Sequence, residues 1–112
     1  MSRVIMAVSA AVLAWCSGCG PAIRPDFNSP EPGARNMAIV RAGDARDAGA
    51  ARDLVRMLAS DDPATRLLAI EALDRVTGER LGYDAADPPE RRREALDRWG
   101  AWVRAREAGA NE

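Results

Sequence analysis

The 112-residue sequence predicts an all-α fold, and three observations carry that prediction. From Ser29 onward, apolar residues recur at helical spacings of three and four. No segment shows the period-two alternation of a strand. The periodic stretches are set apart by helix punctuation, with Ser-Pro or Asp-Pro before them and glycine after.

The first predicted helix takes Ser29 as N-cap and Pro30 as its first residue, carries Ala34, Met37, Ala38 and Ile39, and stops at Gly43. The second runs over about residues 46 to 59, where Ala50, Leu54, Met57 and Leu58 form one stripe opposite Arg52 and Arg56. In the third, from Pro63 to Thr77, Asp62 is the N-cap and Gly78 the stop. Its apolar set of Leu67, Leu68, Ala69, Ile70, Ala72, Leu73 and Val76 is wider than one stripe, so the helix should be touched on two sides. Glu71 and Arg75 stand at the i, i+4 spacing of a helical ion pair, worth about 0.3 kcal/mol. After a loop over residues 79 to 87, Asp87 caps the fourth helix, with Pro88 in its first position and Glu90 completing a capping box. Ala95, Leu96, Trp99, Trp102 and Val103 mark its buried face, and Gly100 in its middle costs roughly 1 kcal/mol against alanine unless it serves a close approach.

The first 18 residues have a different character. Arg3 precedes an apolar run from Val4 to Trp15 that is too short for a permanent transmembrane helix, which needs about 20 apolar residues, and small residues Ser17 and Gly18 follow. That is the layout of an export signal. "CSGC", residues 16 to 19, resembles the lipobox of bacterial lipoproteins, with Cys16 standing where leucine is usual. The resemblance implies cleavage before Cys19 and lipidation of its thiol, which would hold the protein to a membrane on the periplasmic or outer face of the cell envelope. A redox reading of the Cys-x-x-Cys spacing lacks a βαβ context, and a zinc reading lacks a second pair. The expected organisation is a signal peptide over 1 to 18, a lipidated cysteine and tether over 19 to 28, a helical domain over 29 to 108, and a disordered tail over 109 to 112.

Residues 43 to 78, "GDARDAGAARDLVRMLASDDPATRLLAIEALDRVTG", resemble a HEAT-like repeat, with two helices, a tight Asp-Pro turn, and an arginine three residues after the proline. "SPEPGARNMAIVRAGD", residues 29 to 44, is similar to the second helix of a preceding repeat. The segment from Thr77 to Val103 is similar to a C-terminal piece of bacterial HEAT-like proteins in which a Gly-Tyr-Asp loop leads to a Trp-rich helix. The resemblance implies about one and a half repeats. Such stacks normally need about three repeats to cover their apolar faces, so the Trp99 helix is expected to close one end and the first helix the other.

Composition narrows the function. The formal net charge is -1, and removing residues 1 to 18 takes away Arg3 alone, leaving -2, which is no nucleic-acid footprint. There is no histidine and no lysine, and the only serines beyond residue 18, Ser29 and Ser60, sit at caps or turns, so no nucleophilic triad can be built. Asp61 with Asp62 and Asp84 with Asp87 could bind a cation, but both pairs fall where helices need caps. No cofactor, metal site or catalytic residue is expected. The implied function is a protein-binding or scaffold module of the envelope, its partner an envelope protein; a lyase-like accessory role and a purely structural one are the alternatives. Tyr83 and Asp84 in the loop, with Arg91 and Arg92 in the basic run, are the candidate partner contacts beside the lipidation site Cys19.

Overall fold

The computed structural model describes residues 22 to 110; the expected signal peptide over 1 to 18, Cys16 and Cys19 lie outside them, as do residues 111 and 112. The described residues form an all-α fold of four helices with no strand: α1 (Pro32–Asp44), a short 3-10 turn (Ala48–Ala50) leading into α2 (Ala51–Met57), α3 (Pro63–Thr77) and α4 (Pro89–Ala110).

Helix α3 forms as its sequence dictates. The Asp62 carboxylate accepts from the Ala64 backbone N–H at 3.0 Å, Pro63 opens the first turn, and Gly78 ends it in the left-handed region at φ 74°. Helices α1 and α4 start later than expected, for one shared reason. A residue followed by proline is pushed out of the α region by clash with the proline ring. Glu31 precedes Pro32 and is extended (φ -78°, ψ 118°), so Pro30 cannot open a helix and Pro32 does. Pro88 precedes Pro89, and α4 accordingly begins at Pro89. Asp87 therefore stands one residue too early to cap, and the local carboxylate bond is made by Asp84, which accepts from the Ala86 N–H at 2.8 Å. Helix α4 also continues through Gly109 and Ala110, which the sequence reading had placed in a tail.

Gly43 is not a stop but a buried residue inside α1. A methyl group there would lie 3.0 Å from Ala72 Cβ and 3.1 Å from Ala72 Cα, so the absent side chain sets how closely α1 and α3 approach. These two helices run side by side in the same direction: the Thr65 hydroxyl donates to Asn36 Oδ1 at 2.7 Å near their starts, and Arg75 pairs with Asp44 at 2.7 Å near their ends. Arg75 is thus spent across the helices, while Glu71 pairs with Arg80 at 3.0 Å instead of with Arg75. Helix α2 is shorter than the residues 46 to 59 expected of it. Arg46 turns the chain at φ 49°, and Asp47 accepts from Gly49 at 2.9 Å to start the 3-10 turn. Helix α4 packs mainly on α2 and antiparallel to it, with Pro89, Arg92 and Leu96 beside Leu58 to Asp61 and Trp102 to Ala110 beside Ala48 to Arg52.

One device recurs 31 residues apart in "SPEPGAR" and "SDDPATR". Ser29 Oγ accepts from the Glu31 N–H at 3.1 Å and Ser60 Oγ from the Asp62 N–H at 3.2 Å. Arg35 Nη1 donates to the carbonyls of Ser29 and Pro30, both at 3.0 Å; Arg66 Nη1 donates to those of Ser60 and Asp61, at 2.9 and 3.1 Å. Each arginine reaches back from the first turn of its helix and staples the incoming chain. Three and four residues on, the buried faces also correspond, Ala38 and Ile39 in α1 with Ala69 and Ile70 in α3.

The core is continuous from Ile39 and Ala42 through Leu54, Leu58, Ile70 and Leu73 to Ala95 and Trp99. Trp99 is wholly buried, and its indole N–H donates to the Arg80 carbonyl at 3.0 Å. Trp102 meets it edge to face at 5.4 Å between ring centres. At the opposite edge the segment before α1, expected to be a free tether to residue 28, is folded against the domain: Phe27 packs on the core and the Asp26 N–H donates to the Ala34 carbonyl at 3.1 Å.

Candidate functional site

Of the residues proposed from sequence, Cys19 lies outside the described region, and the other four differ in exposure. Tyr83 is 3% exposed, so it is not the exposed aromatic contact anticipated. Its hydroxyl donates to the Leu58 carbonyl at 2.8 Å, tying the loop to the end of α2 and satisfying a group that would otherwise be buried unpaired. Burial pushes the phenol above its ordinary value of 10.0; the positive charges of Arg66 and Arg92 oppose this and Asp84 reinforces it. Asp84 is exposed and shapes the same loop through Ala86. Arg91 is exposed at the start of α4, whereas Arg92 is half-buried and faces the α2–α3 turn beside Arg93. The clefts along α2 and α4 are lined by other residues than Tyr83, Asp84 and Asp87.

The structure points instead to a surface that sequence reading did not single out, the groove between α2 and α4. It encloses about 610 Å³, lined by Val55 and Arg56 on one wall and Gly100, Val103 and Arg104 on the other. Arg52 and Glu107 approach to 3.5 Å across it, and on the far side of that bridge a second cleft of about 270 Å³ runs to Ala48 and Gly49 under Trp102. The Arg106 guanidinium lies over the Trp102 ring at 5.1 Å, holding the indole at the rim. Val55, Trp102 and Val103 are half-buried by this single copy of the chain, and they give the groove an apolar floor between charged edges. Gly100 contributes to its width. A methyl group there would meet only Arg104 Nη1, at 3.2 Å, so the glycine serves no helix-to-helix approach and its missing side chain leaves the floor open.

The groove arises from the sequence in a simple way. Helix α2 has only seven residues, too few to cover α4, and α4 has 22, so the C-terminal half of α4 projects along α2 and past its start with one side uncovered. Among the described residues no cluster of three histidine, cysteine or acidic side chains could hold a metal, and no helix is long and apolar enough to cross a membrane. No protein-family model matches the chain, and no curated protein or solved structure matches it either.

Proposed function

We propose that the chain is a HEAT-like, lipid-anchored module of the cell envelope that holds another envelope protein in the groove between α2 and α4. The observation that carries this reading is the groove itself: an apolar floor of Val55 and Val103, widened at Gly100 and edged by Arg52, Arg56, Arg104 and Glu107. Apolar contact at the centre with charge at the margin is the anatomy of a protein-binding surface, where the middle supplies affinity and the edges supply orientation. The internal repetition of the Ser-x-x-Pro-x-x-Arg turn supports the repeat-like part of the reading, and the lipobox-like run ending at Cys19 supports the anchor. Because Phe27 is packed on the domain, the eight residues from Cys19 to that ring can span at most about 29 Å. A module so tethered meets its partner close to the bilayer.

The test is affinity capture of the full-length chain from detergent-solubilised membranes, in wild type and in Val103→Arg, with mass spectrometry of the captured chain at position 19. Recovery of one stoichiometric partner by wild type and its loss with Val103→Arg, at an unchanged thermal melt, is the expected result. An unmodified thiol at Cys19 removes the anchor, and equal capture by both chains removes the groove.

A further inference from the structure

Arg66, Arg92 and Arg93 line one concavity of about 440 Å³ between the α2–α3 turn and the first two turns of α4. None of the three is within ion-pair distance of a carboxylate, unlike Arg52, Arg56, Arg75 and Arg80, and what sets them apart from the other unpaired arginines is that they share one recess. Asp61 is the only acid on the lining, which leaves two positive charges in excess. Arg66 is held rigid, because its Nη1 is committed to the carbonyls of Ser60 and Asp61 while its Nη2 makes no hydrogen bond. The charges of Arg66 and Arg92 both act on the Tyr83 phenol, which places the two guanidiniums within electrostatic reach of one another. Like charges gathered in one recess in excess of their counter-charge raise the energy of the fold unless something negative occupies it.

We propose that this concavity binds a phosphate group, taken either from free phosphate or from the headgroup of an anionic phospholipid. Guanidinium forks arriving from two separate helices suit a tetrahedral oxyanion with several peripheral oxygens, whereas a carboxylate, with two coplanar oxygens, is met by a single fork. The site is separate from the groove assigned to the partner, so it stands or falls independently of that reading.

The experiment is calorimetric titration of the full-length chain in neutral detergent at constant ionic strength, with inorganic phosphate, with glycerophosphoglycerol and with acetate. It is repeated on Arg92→Gln/Arg93→Gln, which removes two cations that make no hydrogen bond through their side chains and spares the Arg66 staple. Saturable binding of phosphate or glycerophosphoglycerol, weakened about tenfold for each guanidinium lost while the thermal melt is kept, supports the site. Tighter binding of inorganic phosphate assigns it to the free ion, and tighter binding of glycerophosphoglycerol assigns it to the lipid. Absence of saturable binding, equal binding by the double variant, or acetate binding as tightly as phosphate overturns it.

Discussion

The two ends of the helix stack meet the same problem with unequal means. A helical hairpin such as α2–α3 leaves an apolar face open on each side. At the C-terminal side α4 covers it with a wholly buried Trp99, a second indole against that ring, and a loop pinned by Tyr83. At the N-terminal side α1 covers it, and against α1 lies an irregular segment whose largest contribution is a half-buried Phe27. Both faces are closed by a helix, but only α4 brings a wholly buried tryptophan, while α1 is backed by one half-buried ring. The comparison teaches that an α-hairpin can be closed on both faces by single helices, with the large buried aromatic placed on one side only.

The hardest blow to that asymmetry is Trp99→Ala. Losing a fully buried tryptophan costs about 3 to 5 kcal/mol, comparable to the whole stability of a domain of this size, so the variant is expected to lose its cooperative melt. A transition within a few degrees of wild type would show that α4 is not the dominant cap. Phe27→Ala is the matched change at the other end. Its expected cost is about 2 kcal/mol, since the ring is only partly buried, and it should loosen α1 locally in hydrogen exchange while α3 and α4 stay protected. Equal costs for the two substitutions would abolish the distinction between the ends.

What the sequence made legible follows the same division. Helix α3 was readable to the residue because its Asp-Pro start and glycine stop are unambiguous local signals. The starts of α1 and α4 were misplaced by one or two residues although the correcting signal, a second proline, was present in "SPEP" and "DPP". The role of Gly43 was not readable, because a glycine that ends a helix and one that admits a neighbouring helix look alike until Ala72 is placed against it. Tyr83 failed for a related reason: the acceptor that buries its hydroxyl is the carbonyl of Leu58, 25 residues away. The candidate groove depends on the mismatch in length between α2 and α4, and the sequence overestimated α2 because its last turns, closed by i to i+3 bonds from Leu58, Ala59 and Ser60, keep the apolar period of an α-helix.

Tyr83→Phe probes the C-terminal closure more gently. It removes one buried hydrogen bond and leaves the Leu58 carbonyl without its partner, for an expected loss of about 1 to 2 kcal/mol in denaturant titration at neutral pH. It also changes the alkaline limb of the stability curve. Burial holds the folded phenol above 10.0, so the folded state keeps its proton where the unfolded chain has lost it. The contribution is fully present below pH 10 and falls away as pH rises from there through the folded value. Wild type should therefore lose stability above about pH 10 more steeply than Tyr83→Phe. Parallel curves for the two chains would mean that the loop opens before the phenol ionises.

Gly100→Ala carries the smallest effect and the most specific information, because its sign separates stability from function. The glycine sits inside a 22-residue helix, where alanine is favoured by about 1 kcal/mol, and the only atom a new methyl would crowd is the end of the mobile Arg104 side chain. The variant should therefore melt a few degrees higher than wild type. The missing side chain leaves open the floor of the groove against α2. If a partner lies in that groove, the stabilised variant should capture less of it than wild type from the same membranes. A chain that melts higher and captures its partner undiminished would show that the C-terminal cap serves stability alone and that contact is made elsewhere on the stack.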